Sequence, residues 1–193
     1  TDQGSKNIAD TISSKLGNIL QTFPVKVSKR PSTIIESEKS MKFHIDTPAA
    51  RYVVWFCEEE GLKGEDLVLV DLTDINETFS SSEIDELCST RVSLPKGYGR
   101  EKTIFSKQNG PALLERVDTD ILINYTDWLI IDWGDTNLKL KFENYLTQKK
   151  SIAQKIFLKR GDIFILDNRR FIHSRTKLNK ETKRCHIRYL VAS

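Results

Sequence analysis

The stretch Gly161-Asp162-Ile163-Phe164-Ile165-Leu166-Asp167-Asn168-Arg169-Arg170-Phe171-Ile172-His173-Ser174-Arg175 decides how the rest of the chain is read. A Gly-Asp turn opens it, and the apolar run Ile163 to Leu166 follows at strand length. Asp167-Asn168 then breaks the strand, because short polar side chains bond to the local backbone and favour turns. Beyond the break, one histidine stands between apolar and basic neighbours. The chain has only 3 histidines. A second lies far upstream, in Phe43-His44-Ile45-Asp46, on another β-like segment. Residues two apart on a strand point the same way, so His44 and Asp46 are expected on one face.

With 193 residues the chain is long enough to bury a proper core, and one domain is expected. Lysine and arginine number 30 against 27 acidic residues, for a net charge of +3. Such mixed charge fits a globular protein. It disfavours a nucleic-acid binder, which concentrates basic side chains on one face. No apolar run approaches the roughly 20 residues that span a bilayer, and no signal-peptide pattern opens the chain, so no membrane partner is expected. Thr1 stands first in place of Met, which leaves a preceding segment open. Cys57, Cys88 and Cys185 are odd in number, far apart and without a Cys-x-x-Cys pair. Reduced thiols in a cytoplasmic protein are therefore expected, not a disulfide framework or a zinc site. Nothing in the composition sets an oligomeric state.

From Asn7 to Phe23 the spacing of Ile8, Ile12, Leu16, Ile19, Leu20 and Phe23 predicts an amphipathic helix, closed by Pro24 and followed by a short strand at Val25-Lys26-Val27. Pro31 and the polar run Glu36 to Ser40 read as turn and loop. Strands are expected at Lys42 to Asp46, Arg51 to Cys57, Leu67 to Leu72, Ile121 to Tyr125, Trp128 to Trp133, Lys155 to Leu158, Asp162 to Leu166 and Cys185 to Val191. Ser80-Ser81-Ser82 ahead of Glu83 to Leu87 is a helix start with a hydroxyl cap. Pro95, Gly97 and Gly99 mark a loop. Asn137 to Lys150 reads as a helix, although Leu138 to Phe142 alternates as a strand would. Many short strands with few helices predict a mainly β (α+β) domain, a barrel or sandwich buttressed by helices.

His44, Asp46 and a distant His173 supply two imidazoles and a carboxylate. That is the ligand set of the facial triad of non-heme iron(II) oxygenases, which leaves the other coordination positions open. A His-x-Asp pair also arises by chance, and a lone histidine is often structural. Arg184 and Arg188 flank Cys185-His186-Ile187 and, four apart on a strand, share a face. A guanidinium fork suits a carboxylate. The competing reading sets both arginines in solvent on an edge strand, opposite Ile187, Tyr189 and Val191.

Taken together, Phe43-His44-Ile45-Asp46-Thr47-Pro48, the run from Gly161 to Arg175 and the pair Arg184 and Arg188 resemble the Fe(II)/2-oxoglutarate-dependent dioxygenases. The taurine dioxygenase and clavaminate synthase-like branch is the nearest in pattern. The resemblance covers Met41 to the C-terminus and is weakest over 94–135. It implies a double-stranded β-helix, or jelly-roll, of the cupin-like kind with flanking helices. Residues 1–40 would form an N-terminal helix and strand, and residues 41–193 the core, with an insertion around 94–150. It assigns Fe(II) to His44, Asp46 and His173, and the C5 carboxylate of 2-oxoglutarate to Arg184. Arg188 would reach an acidic group of the substrate, and no catalytic residue is implied beyond the metal ligands. Trp55 and Phe56 would wall the pocket or pack the core.

The chain departs from that pattern at Gly64-Glu65-Asp66-Leu67, where family members often set a threonine that assists 2-oxoglutarate. The implied reaction uses dioxygen to hydroxylate a C–H bond of a small amino-acid-like or carboxylate substrate, releasing succinate and CO2. Asp46 argues against halogenation, which needs that ligand position vacant; desaturation and cyclisation stay open. The alternatives are the same chemistry on a nucleic acid or protein, and a jelly-roll binding module without activity. The lysines of 148–159 permit the nucleic-acid reading, but no Arg-x-Asn-x-Thr-x-Arg pattern of nucleic-acid demethylases is present. Glu58 to Glu60 and Asp132 are candidates for a basic substrate.

Overall fold

The computed structural model describes residues 3–31, 33–93 and 110–192. The chain opens with α1 (Gln3–Leu16), β1 (Asn18–Lys26), β2 (Met41–His44), β3 (Tyr52–Glu59) and β4 (Leu67–Asp71). Next come α2 (Ile75–Thr78), α3 (Ser81–Ser89), β5 (Arg91–Ser93), β6 (Leu114–Val117), β7 (Asp120–Ile123) and β8 (Ile130–Asp132). It closes with α4 (Thr136–Ser151), β9 (Gln154–Ile156), β10 (Ile163–Asp167), β11 (Phe171–Arg175) and β12 (Cys185–Ala192).

Two four-stranded sheets carry the site, in the orders β1-β12-β3-β10 and β2-β11-β4-β9. Every pairing within them is antiparallel. The sheets face each other across Val53, Trp55 and Cys57 of β3, Leu67 and Leu69 of β4, Leu166 of β10 and Leu190 of β12. The opposite face of the first sheet is covered by α1: Val54, Phe56, Tyr189 and Val191 pack with Ala9. β3 is therefore buried on both faces, which explains its unbroken apolar run. A larger core lies behind the second sheet, where Val70 and Ile172 meet Leu87 of α3 and Phe142 and Leu146 of α4.

Local chemistry accounts for the helices. Ser80 caps α3 in a reciprocal box, its Oγ accepting from the Glu83 N–H while the Glu83 carboxylate accepts from the Ser80 N–H. Asp135 caps α4 by accepting from the N–H groups of Asn137 and Leu138, and the helix reading of that segment holds over the strand reading. Among the described residues no helix is long and apolar enough to cross a membrane.

Three expectations are corrected. The helix predicted through Phe23 ends at Leu16, and 18–26 is a strand whose Ile19, Phe23 and Val25 pair with Val191, Arg188 and His186 of β12. Spacing alone could not separate these, because a register shift between Ile19 and Gln21 breaks the two-residue alternation of the strand. Pro24 is tolerated since β1 is an edge strand. The segment after Asn168 is a strand in its own right, β11, with His173 at its centre. Finally, β2 stops at His44, so Asp46 lies beyond the strand it was expected to share. The loop read at Pro95, Gly97 and Gly99 lies outside the described residues.

Candidate active site

His44 and His173 are register partners on β2 and β11, and their rings lie 4.3 Å apart between centroids. Both point into the space between the sheets and are almost fully buried, at 5% and 3% exposure. The His44 Nδ1 lies 2.8 Å from the Lys42 carbonyl, which fixes the ring as an Nδ1–H tautomer and leaves Nε2 as the free lone pair. Trp55 meets His173 edge-on at 5.2 Å, and Trp128 stacks at a tilt on His44 at 5.4 Å.

A different device brings in Asp46. The Ile45 N–H donates to the Tyr125 carbonyl at 3.0 Å, and the Asp46 N–H donates to Asn168 Oδ1 at 2.7 Å. Asn168, fully buried, also donates through Nδ2 to the carbonyls of Thr47 and Ala50. The turn between β10 and β11 is thus stapled to the loop after β2. Arg169 extends the staple, donating to the carbonyls of Pro48 and Ile123 and pairing with Glu115 at 2.7 Å. Asn168 and Arg169 build the site without facing it.

Arg188 donates from Nη1 to Asp46 Oδ1 at 2.9 Å and lies over the Phe23 ring at 4.5 Å. The other carboxylate oxygen, Oδ2, is buried with no hydrogen-bond partner, as are both ring nitrogens of His173. It lies 3.8 Å from His173 Nε2, beyond hydrogen-bond length. Ligand atoms of His44, Asp46 and His173 all fall within 4.8 Å of one another. Asp46 Oδ2 and His173 Nε2, buried without partners and converging with His44, fit a cation coordinated by two imidazoles and a carboxylate.

Protonation states agree with that fit. Burial pushes His173 down to about 3, aided by neighbouring His44 and opposed by Asp46. Burial also lowers His44. For Asp46 burial acts upward, but Arg188, His173 and His44 outweigh it and hold the carboxyl below its ordinary value. At neutral pH the cluster is two neutral imidazoles and one carboxylate, the forms that bind metal.

The cluster opens on a narrow cavity of about 30 Å³, lined by His44, His173, Trp55, Arg175, Arg184 and Arg188 among others. Arg184 and Arg188 are not on a solvated edge: β12 lies between β1 and β3, and the two side chains are 4% and 5% exposed. Ile187, Tyr189 and Val191 occupy the opposite face, beneath α1. Trp55 walls the cavity, whereas Phe56 faces α1. Leu67, the last residue of the run Gly64 to Leu67 in which no threonine was found, stands on the cavity wall. None of Glu58, Glu59, Glu60 and Asp132 lines it.

Sequence reading missed two residues here. Arg175 donates to the carbonyls of Ile34, Ile35, Ser37 and Lys39, tying the segment before β2 to the cavity wall. His186 lines the cavity between Arg184 and Arg188. Strand alternation carried that signal, since 184, 186 and 188 share a face.

The fold is that of non-heme iron oxygenases. The chain superposes on the non-heme iron oxygenase OrfP in complex with Fe and alpha-ketoglutaric acid with a TM-score of 0.77 and 16% identity, covering 97% of this chain and 64% of that one. It superposes on asparagine oxygenase in complex with Fe(II), 2S,3S-3-hydroxyasparagine and succinate with a TM-score of 0.74 and 15% identity, covering 96% and 63%. The chain spans a little under two thirds of the length of these proteins. No family model matches the chain, and no curated protein matches it in sequence.

Proposed function

We propose that the chain is an Fe(II)/2-oxoglutarate-dependent oxygenase that hydroxylates a C–H bond of a small amino-acid-like or carboxylate substrate. The observation that carries this is the buried convergence of His44, Asp46 and His173, with unpartnered donor atoms, beside buried arginines. In balance, one oxygen of O2 enters the substrate as hydroxyl and the other enters succinate, with loss of CO2 from 2-oxoglutarate. Iron, when bound, supplies the activation of dioxygen that side chains cannot perform.

The chain's own residues bind, orient and exclude water. Lys42 fixes the His44 tautomer, and Arg188 fixes the carboxylate so that one oxygen of Asp46 faces the imidazoles. Trp55 and Leu67 keep the cavity wall apolar. Arg184 would take the distal carboxylate of 2-oxoglutarate. Arg188 would offer its remaining donors to an acidic group of the substrate, since its Nε has no partner. The hydroxylated amino acids bound in the neighbours' crystals, (3S)-hydroxy-L-Arg and 2S,3S-3-hydroxyasparagine, favour an amino acid as substrate.

The same reading takes the two facing sheets as a double-stranded β-helix. Residues 41–193 would be its core, with the insertion around 94–150, and residues 1–40 would add α1 and an edge strand. Action on a nucleic acid is less well supported: Lys149 pairs with Asp74, and Lys150 with Asp127 at 2.6 Å. The test is anaerobic addition of Fe(II) and then 2-oxoglutarate, read by a metal-to-ligand absorption band, followed by an amino-acid screen for succinate release. A band and substrate-stimulated succinate are expected. Metal binding without any response to 2-oxoglutarate would overturn the assignment.

A further inference from the structure

His186 lies on the inner face of β12, 3% exposed, opposite Cys57 of β3 and Val25 of β1 in register. Its Nε2 is buried without a hydrogen-bond partner. A polar atom sealed from water normally has one, and leaving it unpaired costs about 1–3 kcal/mol. Nothing in the metal triad uses it.

Its surroundings have a definite charge. The Arg184 Nε and Arg175 Nε are likewise buried and unpartnered. Arg175 donates to backbone carbonyls, those of Ile34, Ile35, Ser37 and Lys39. The acid nearest to Arg184 is Glu65, whose oxygens are already taken: Oε1 accepts from the Asn179 N–H at 2.7 Å, and Oε2 accepts from the Leu62 N–H and the Thr182 hydroxyl. Burial, reinforced by the charges of Arg184 and Arg175, keeps the His186 imidazole neutral at pH 7. From the facing sheet, Leu67 and Arg175 are register partners on the same wall, and Leu67 offers no hydrogen bond. This end of the cavity thus holds two buried guanidinium groups, with buried Glu65 as the carboxylate that acts on both, and one imidazole nitrogen without a partner. Two buried cations against one buried carboxylate leave a positive excess, which an added anion would offset.

We infer that His186 is a binding residue of the distal anion subsite, donating from Nε2 to the far carboxylate of the dicarboxylate cosubstrate while Arg184 grips the same group. The inference rests on the oxygenase reading above and assigns to this chain a contact that Leu67 cannot supply. His186 thereby sets selectivity for a 2-oxo acid with a second carboxylate over one without.

The experiment measures anaerobic equilibrium binding of 2-oxoglutarate, and separately of pyruvate, to Fe(II)-loaded protein, for wild type, His186→Met and His186→Gln. Circular dichroism and Fe(II) affinity verify that each variant is folded and loaded. A hydrogen bond to a charged group is worth about 1.5–3 kcal/mol, so His186→Met is expected to weaken 2-oxoglutarate by about tenfold or more. Pyruvate, which has no far carboxylate, is expected to bind the two proteins alike. His186→Gln keeps a donor and is expected to restore most of the loss even if His186→Met folds poorly. Equal 2-oxoglutarate affinity in wild type and both variants overturns the inference while leaving the oxygenase reading intact. An equal loss for 2-oxoglutarate and pyruvate marks a structural role and also overturns it. Wild type that binds Fe(II) but not 2-oxoglutarate overturns both.

Discussion

Asp46 is held from one side and free on the other. Arg188 takes Oδ1 at 2.9 Å, and Oδ2 has no partner although it is buried. Removing one member of a buried ion pair leaves the other charge uncompensated, at about 3–5 kcal/mol. Asp46→Ala is therefore expected to lower the urea midpoint markedly and to abolish Fe(II) binding, whereas Asp46→Asn keeps an acceptor for Arg188 and loses metal with less instability. Normal Fe(II) affinity in Asp46→Ala would remove Asp46 from the ligand set. The histidines set the acid limit. His186, like His173, is pushed down to about 3 by burial, against about 6.5 in an unfolded chain. Between those values the unfolded state binds more protons, so stability is intact above about pH 6.5 and is lost as pH falls toward 3. His186→Met is expected to flatten that fall by up to about 1.4 kcal/mol per pH unit, read from urea midpoints at pH 7, 6 and 5. An unchanged slope would show that His186 is not buried neutral.

Two elements depend on single polar side chains for their positions. Asn168 fastens the β10–β11 turn to the loop after β2 by three hydrogen bonds to Asp46 N, Thr47 O and Ala50 O. Asn168→Ala leaves those buried backbone groups without partners and is expected to cost about 3 kcal/mol. Fe(II) affinity falls with it, because Asp46 lies beyond the end of β2 and has no ladder to hold it. Arg175 performs the same service for 34–39, which contains no strand or helix of its own. Lysine carries a single ammonium and cannot fan out to four carbonyls. Arg175→Lys should accelerate proteolytic cleavage within 30–40 while leaving β3 and β12 protected in hydrogen exchange. Equal cleavage rates would show that the loop holds itself.

Across the whole molecule, α1 and β1 complete the sheet that carries the arginines. α1 covers Val54, Phe56, Tyr189 and Val191, and the Tyr189 hydroxyl donates to Asp10 at 2.8 Å. Without residues 1–17 these apolar side chains would face water, each at about 1.5–3 kcal/mol. Such a truncated chain is expected to aggregate or to bind a hydrophobic dye at neutral pH, where the full chain does not. A soluble, dye-silent truncated protein would show that α1 is dispensable.

Chemistry that demands particular residue types was legible along the chain. A lone histidine after a broken strand, a His-x-Asp pair and two arginines four apart could be picked out, because few other side chains can do their work. Strands buried on both faces, such as β3, were equally plain, since a continuous β-branched and aromatic run has few other uses. Short strands such as β5 and β6 left no such mark, and β1 mimicked a helix because a register shift between Ile19 and Gln21 breaks its two-residue alternation. Only the tertiary structure decided which groups share a cavity. The register of β11 on β2 sets His173 against His44, and Asn168 reaches across more than a hundred residues to place Asp46. The pairing of β12 between β1 and β3 turned two arginines and His186 inward, deciding between burial and solvent where the sequence alone left both open. Those outcomes depend on contacts between distant segments, and no local pattern encodes them.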